Sequence, residues 1–317
     1  MKLVSRDEII AEKVARRKKI SQLRSSINGD MTHIGRVSRG CATCFFRDPN
    51  SNFAIYTGCE CNVACKYCYY EQDRTDKSWN IDKKIANNLS EYYNMALDPH
   101  VDIKEITYNS WGEPLMYMHV LKEASQITKK LQRTRGHKIY SHLYTNGILA
   151  TEEVLEQLKD MEVTELRFHI SASNFSKKVL NNMRNAKKMG FIVTVEEPSL
   201  PENKEKLFQH LPVLQDIGLK HLDLVECQVT PHNYEHLDKT YPEGRYYRDY
   251  LWHFYDEGMV YDIIEEVLKQ GYEYSVIDCN SRNECCRETK QIFDRPVNDT
   301  LTWDQVKDAV AEFDDRL

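Results

Sequence analysis

Between about residues 53 and 229 the sequence alternates six strand-like segments with helical ones, and this alternation limits the fold more than any other feature. The strand-like segments are rich in β-branched and aromatic residues, and stretches with apolar residues at helical spacing separate them. Strands separated by helices of about 10 to 15 residues form right-handed βαβ units, which build a parallel sheet. We therefore predict an α/β fold whose strands begin near Phe53, Ile103, Lys138, Glu165, Phe191 and Leu222.

The carboxyl ends of parallel strands are where functional side chains gather in such folds, because these ends meet at one edge of the sheet. Thiols and polar groups lie at the carboxyl ends of all six predicted strands. We expect them to converge on one rim. They are Cys61, Cys65 and Cys68; Gly112 and Glu113; Asn146; Ser171; Glu196; and Glu226, Cys227 and Gln228.

The loop after the first strand carries three cysteines in a C-x3-C-x2-C spacing, Cys61, Cys65 and Cys68, with Tyr67 directly before the third. Three thiolates bind three irons of a cubic iron-sulfur cluster, whereas four thiolates would close every iron. An open coordination position lets a metal centre bind a substrate or cosubstrate. The C-x-x-C formed by Cys65 and Cys68 is also found in zinc sites and redox pairs, which remain alternatives at this point.

Two further segments follow the next two strands, Trp111-Gly112-Glu113-Pro114 and Thr145-Asn146-Gly147. Each alone is also typical of an ordinary turn. In this order, after consecutive strands and behind the cysteine loop, they resemble the radical S-adenosylmethionine (SAM) superfamily. Trp111 stands where that family has the first glycine of its Gly-Gly-Glu-Pro segment, and the resemblance covers more than half of the chain.

The resemblance implies a partial (β/α)6 TIM barrel that holds a [4Fe-4S] cluster on the three thiolates and SAM on the open iron. It implies that the Gly112, Glu113 and Pro114 segment receives the methionyl ammonium, where a carboxylate would supply a charge-assisted hydrogen bond. Tyr67 would lie near the adenine, and Asn146 would contribute to the SAM site. A flavodoxin or ferredoxin would deliver one electron, and SAM would yield methionine and a 5'-deoxyadenosyl radical that abstracts hydrogen from a substrate.

The ends of the fourth and fifth strands carry candidates for a contact to the ribose of SAM. Ser171 is the first candidate, Arg167 and His169 compete with it, and Glu196 is the corresponding residue after the fifth strand. For each of them the alternative is a side chain that only lines the barrel, since residues two apart on a strand share a face.

Four of five cysteines outside the loop could ligate an auxiliary iron-sulfur cluster, as the resemblance implies for family members with a short, twitch-type C-terminal region. A C-x-x-C just before the first strand and a late strand ending in cysteine also resemble a group related to pyruvate formate-lyase activating enzymes. Zinc or free thiols are the alternatives. The five residues are Cys41, Cys44, Cys279, Cys285 and Cys286. Cys227, a lone cysteine in the sixth strand, is expected to be a small buried hydrophobic residue.

Composition and charge argue against several classes of protein. A net charge of −6 and a pI near 6.0 argue against a broad nucleic-acid surface. The charged first twenty residues do not resemble a secretory signal, and no apolar run is as long as a membrane span. We therefore expect a cytoplasmic protein whose ten cysteines serve metal binding rather than disulfides.

The expected organisation is an N-terminal extension over residues 1–50, a barrel over 51–232 and a cysteine-containing appendage over 233–317. The expected function is that of a radical SAM oxidoreductase or modifying enzyme acting on a small molecule, a peptide or RNA. A glycyl radical enzyme activase is the alternative within the same chemistry. A non-catalytic zinc or iron-sulfur redox protein is the alternative from a different class.

Overall fold

A computed structural model describes residues 1–25, 32–41, 52–70, 81–248 and 251–279. These residues divide into two compact units. The first unit comprises residues 1–25, 32–37, 64–70, 195–248 and 251–279, and the second comprises residues 38–41, 52–63 and 81–194.

The second unit is built on four parallel strands that lie side by side in chain order. A helix follows each strand, so each strand and helix form one βα repeat. The strands are β4 Asn52–Tyr56, β5 Glu105–Asn109, β6 Tyr140–Thr145 and β7 Glu165–Phe168; the helices are α2 Ile81–Leu97, α3 Met118–Arg135, α4 Glu152–Asp160 and α5 Lys177–Lys188.

The register of these strands separates an apolar face from a polar one. Phe53 stacks on Tyr92 of α2 at a centroid distance of 5.2 Å, which places the apolar face against the helices. On the opposite face Thr107 pairs with His142, and His142 pairs with Glu165, all buried. The second unit therefore has one apolar core under its helices and a polar inner face.

The first unit contains the later strands and the N-terminal helix. Its larger set of strands pairs β13 Ser275–Cys279 parallel to β9 His221–Val225 and antiparallel to β3 Thr32–Ile34, which pairs with β2 Arg24–Ser25. A second sheet has the order β1 Lys2–Leu3, β11 Arg245–Arg248, β12 Trp252–Phe254, β10 Gln228–Val229. The helices are α1 Arg6–Arg17, α6 Pro201–Ile217, α7 Pro231–Thr240 and α8 Met259–Gln270.

The predicted α/β class with six consecutive strands is confirmed. The fifth strand is β8, Ile192–Pro198, and the boundary between the units falls within it, after Thr194. The sequence predicts a sixth strand over residues 222–229, which is too long: β9 ends at Val225, and residues 228–229 form β10 in the other sheet. The division into three domains stays a prediction.

None of the helices within the described ranges combines the length and apolarity required to traverse a bilayer.

Candidate SAM and iron-sulfur site

The loop that follows β4 is held by the segment that follows β5. The backbone carbonyl of Gly58 accepts a hydrogen bond from the Trp111 amide at 2.9 Å and another from the Ser110 hydroxyl at 2.7 Å. The amide of Glu113 donates to the Glu60 carbonyl at 2.8 Å. The residues leading to Cys61 therefore have a fixed backbone conformation set by the Trp-Gly-Glu-Pro segment.

Gly112 is required by this close approach of two backbones. A Cβ atom at this position would lie 1.9 Å from the Glu60 carbonyl oxygen, which is far inside van der Waals contact. Trp111, which replaces a glycine of the family pattern, stacks instead on Tyr56 at the end of β4, with ring centroids 4.6 Å apart. The second glycine position is thus constrained by sterics, while the first accommodates an aromatic ring.

The Glu113 carboxylate, which follows β5, is hydrogen-bonded to the end of β6. It is only 2% exposed and accepts hydrogen bonds from the Thr145 hydroxyl at 2.7 Å, the Asn146 amide at 2.8 Å and the Leu115 amide at 3.1 Å. Burial raises the pKa of this carboxyl, and the three donors oppose that rise. Because both oxygens already accept hydrogen bonds, the backbone of the segment is better placed than the carboxylate to receive a ligand's ammonium.

Pro114 starts a short 3-10 turn, Pro114–Tyr117, and the Glu113 side chain caps it through the Leu115 amide. Proline at the first position of a helical turn loses nothing, since its missing N–H would have no partner there. The Glu-Pro pair therefore fixes both the turn and the carboxylate.

Asn146 connects the end of β6 to Cys61. Its side-chain amide donates to the Asn62 side-chain oxygen at 2.6 Å and lies 4.0 Å from the Cys61 sulfur. Its own side-chain oxygen accepts from the Ile148 amide at 3.1 Å. Burial raises the pKa of the Cys61 thiol, and hydrogen bonds from Val63, Asn62 and Asn146 oppose that rise. Of the predicted site residues, Cys61, Gly112, Glu113, Pro114 and Asn146 are thus gathered in one place.

The rest of the cysteine loop belongs to the first unit. The Cys68 amide donates to the Cys65 carbonyl at 3.0 Å, which closes a turn between the two thiols. The Tyr67 carbonyl accepts from the Asn233 side chain at 2.9 Å, and Tyr67 packs against the hydrophobic cluster that contains Cys227. The Cys65–Cys68 turn is therefore supported by α7 and by the residues after β9.

The three thiols fit an iron-sulfur cluster by their chemistry. None of the three forms a disulfide, and all three are partly exposed. Over the described ranges no three His, Cys, Asp or Glu side chains form a group that could hold a metal ion. A cubic cluster needs one thiolate at each of three irons and not convergence on one ion.

The candidates for the ribose contact lie after β7 and within β8. Ser171 begins a 3-10 turn, Ser171–Ser173, in the second unit, and Glu196 is a half-buried residue of β8 in the first unit. His169 follows β7, and burial lowers its pKa to about 4, so its imidazole is neutral at pH 7.

Arg167 lies in the polar interior of the second unit. It is 4% exposed, and its guanidinium bonds the Glu165 carboxylate at 3.0 Å and contacts the Ser38 hydroxyl and the Cys41 sulfur, each at 3.3 Å. These contacts favour the barrel-lining alternative that the sequence left open for Arg167.

The additional cysteines are only partly described. Cys41 is buried in the second unit beside Arg167, and Cys279 is the half-buried last residue of β13 in the first unit. Cys44, Cys285 and Cys286 lie outside the described residues. Cys227 is 4% exposed, and burial, with a contribution from the charge of Cys68, raises its pKa to about 12, as expected of a buried thiol.

Sequence reasoning missed four residues that hold the site. Ser110 and Tyr117 hydrogen-bond the backbone before Cys61. The Asn62 side-chain oxygen accepts from the Asn146 side chain, and the Asn233 side chain donates to the Tyr67 carbonyl. Asn233 alone had a sequence signal, since it stands three residues after Thr230 and completes a capping box there. The others act through contacts between distant segments and have no local pattern.

Comparison with known proteins and family models identifies the family to which this chain is similar. The model described as Radical SAM superfamily matches residues 55–211. A serine-type anaerobic sulfatase-maturating enzyme of Bacteroides thetaiotaomicron is 32% identical over 109 residues, 32% of this chain and 25% of that protein. A Methanocaldococcus jannaschii protein with the provisional name of glycyl-radical enzyme activating enzyme is 22% identical over 212 residues, 64% of this chain and 54% of that protein.

Among solved structures, Streptococcus suis SuiB bound to S-adenosylmethionine is similar with a TM-score of 0.49 and 12% identity, covering 86% of this chain and 60% of SuiB. The chain spans about half or less of the length of the two curated relatives.

Proposed function

Because residues 55–211 belong to the radical SAM superfamily, we propose that this chain cleaves SAM reductively at a [4Fe-4S] cluster and uses the resulting radical to abstract hydrogen from a substrate. One observation carries the proposal: the segments Trp111–Pro114 and Thr145–Gly147 both meet the loop of Cys61 through direct backbone and side-chain contacts. Two unrelated turns at separate strand ends would not be expected to be joined by a hydrogen bond between Asn146 and Glu113 and to contact the same cysteine loop.

Each residue of the site has a distinct role in this proposal. Cys61, Cys65 and Cys68 hold the cluster and leave one iron open. The backbone at Gly112 and Glu113 receives the methionyl ammonium, while the Glu113 carboxylate holds the second and third strand ends together. Tyr67 contacts the adenine, and Ser171 and Glu196 serve the ribose.

When bound, the cluster supplies one electron that breaks the sulfonium C5'–S bond of SAM and gives methionine and a 5'-deoxyadenosyl radical. The protein's contribution is to hold SAM in one orientation and to exclude water from the radical. Partial exposure of the thiols is compatible with electron entry from a flavodoxin or ferredoxin, which we propose as the donor.

The test is anaerobic reconstitution with iron and sulfide, followed by dithionite and SAM. We expect 5'-deoxyadenosine from the wild-type protein and none above background from a variant in which Cys61, Cys65 and Cys68 are all alanine. A fully loaded wild-type cluster that yields no 5'-deoxyadenosine would leave the non-catalytic redox protein as the better account.

The same variant tests an auxiliary cluster, which we propose is held by four of the five cysteines Cys41, Cys44, Cys279, Cys285 and Cys286. Residual iron and sulfide in the triple variant, in a fixed ratio, is the expected result. Complete loss of both would remove the auxiliary cluster from the proposal. Such clusters require reduced thiols, which agrees with the proposed cytoplasmic location.

A protein substrate is the second candidate, and the names of the two curated relatives, one maturating a sulfatase and one activating a glycyl-radical enzyme, favour it. The reduced enzyme is incubated with SAM and either the protein or the small-molecule fraction of cells grown in heavy water. Deuterium in 5'-deoxyadenosine only from the protein fraction supports an activase or maturase. Deuterium only from the small-molecule fraction contradicts it.

A further inference from the structure

Tyr117 contacts the cysteine loop through its hydroxyl group. The phenolic oxygen accepts hydrogen bonds from two consecutive backbone amides, that of Cys59 at 3.2 Å and that of Glu60 at 2.8 Å. These are the two residues directly before Cys61. One oxygen atom therefore fixes the orientation of two successive peptide units at the point where the loop delivers its first thiol.

The ring of Tyr117 is fitted to the same loop. A Cβ atom at Gly58 would lie 2.0 Å from the Tyr117 ring, so the ring occupies the space that any side chain there would need. The Tyr117 ring therefore fills the space that the missing side chain of Gly58 leaves, and its hydroxyl extends past Gly58 to the two amides. The loop backbone is held by the ring on one side and by Trp111 and Glu113 through hydrogen bonds.

A role for Tyr117 only at the start of helix α3 does not account for these contacts. Tyr117 is the N-cap residue of α3, yet its side chain makes no capping hydrogen bond to that helix. The two hydrogen bonds of the hydroxyl go to residues 57 and 58 positions earlier in the chain. Packing at the start of a helix would be served equally by phenylalanine, whereas the amides of Cys59 and Glu60 need an acceptor.

We propose that Tyr117 is a positioning residue for the cluster: its hydroxyl holds the Cys59–Glu60 backbone so that Cys61 and the SAM-binding segment keep a fixed mutual arrangement. Tyr117 ends the turn that begins at Pro114, so one short turn links the ammonium-binding backbone to the cluster loop. The inference rests on the proposed function. Partners that orient metal ligands in this indirect way typically change metal affinity or activity by about 10- to 100-fold.

The test compares Tyr117→Phe with a matched control, Tyr93→Phe, which removes the hydroxyl of an exposed tyrosine on α2. In the reconstituted protein we expect Tyr117→Phe to lose iron to a chelator about tenfold faster than wild type. We also expect a higher KM for SAM with a smaller change in kcat, and an altered electron paramagnetic resonance spectrum of the reduced cluster upon addition of SAM. The control is expected to match wild type in all three.

A measurement on the metal-free protein separates this inference from the proposed function. Hydrogen–deuterium exchange at the Cys59 and Glu60 amides is expected to be faster in Tyr117→Phe, with the same melting transition for the remaining fold. Unchanged amide exchange together with unchanged iron release and spectrum would overturn the role of Tyr117, even if SAM is cleaved normally. Faster exchange in a protein that cleaves no SAM would instead count against the proposed function alone.

Discussion

At the residue scale, the carboxylate of Glu113, a residue predicted to bind SAM, links the ends of two strands through hydrogen bonds. The carboxylate is 2% exposed and accepts from Thr145, Asn146 and Leu115. In Glu113→Gln one acceptor oxygen becomes an NH2 group that faces an N–H or O–H donor. We expect a loss of about 1–3 kcal/mol in the free energy of unfolding, measured by urea denaturation.

The matched control is Glu123→Gln, which makes the same chemical change at an exposed position on α3. Substitution there is expected to change the unfolding free energy by less than about 0.5 kcal/mol. Equal effects of the two variants would mean that the hydrogen bonds to Glu113 do not stabilise the fold. A destabilised Glu113→Gln protein that still binds SAM normally would support the assignment of the ammonium to the backbone.

At the scale of elements, the contact between the loop after β4 and the segment after β5 depends on the absence of a side chain at Gly112. In Gly112→Ala the methyl group would overlap the Glu60 carbonyl oxygen at 1.9 Å, so one of the two backbones has to move. We expect reduced cluster loading after reconstitution and weaker SAM binding. Iron content and equilibrium binding of SAM measure the two effects separately.

Gly136→Ala is the control for a general glycine effect. Gly136 ends α3 with φ +76°, and an added Cβ would meet nothing within 4 Å, so the cost is the left-handed backbone alone, about 1–2 kcal/mol. Its cluster loading should equal that of wild type. Normal loading in Gly112→Ala would contradict the requirement for close backbone contact.

The elements also show what local sequence can and cannot predict. Strands such as β4 and β6 were found because runs of β-branched and aromatic residues are local signals. The end of β9 was missed because residues 228–229 pair with β12, and that partner is distant in the chain. Likewise Cys61, Gly112 and Asn146 were found from spacing and order, whereas Tyr117 resembles any aromatic residue at the start of a helix.

At the scale of the whole molecule, the first unit encloses a cluster of charges that the sequence pattern did not reveal. Lys13 and Arg17 of α1 meet Glu226 after β9 and Asp278 of β13: Lys13 pairs with Glu226, and Arg17 with Asp278 at 3.3 Å. Asp256, before α8, accepts from the Gly258 amide at 2.9 Å. Lys13 and Arg17 thus dock α1 within its own unit.

Asp256 makes this docking dependent on pH. Burial raises its pKa to about 6, Lys13 opposes the rise, and Glu226 and Asp278 reinforce it. Because the unfolded chain releases this proton nearer pH 4, the folded state binds more protons between about pH 4 and 6, and its stability falls as the pH rises through that window. The contribution amounts to about 3 kcal/mol.

In Asp256→Asn this contribution disappears, while an oxygen remains to accept the Gly258 amide. The difference in unfolding free energy between wild type and Asp256→Asn should therefore shift by about 2 kcal/mol between pH 4 and pH 7, in favour of the variant at the higher pH. Lys13 and Arg17 lower the pKa of Asp278 against the effect of burial, so its carboxylate stays largely ionised above pH 4 in both proteins and contributes little to the difference. Asp216→Asn, which makes the same chemical change at an exposed position on α6, is the control for the substitution itself. Urea denaturation at four pH values measures this difference in unfolding free energy. If it stays constant with pH, Asp256 titrates in the folded protein as it does in the unfolded chain.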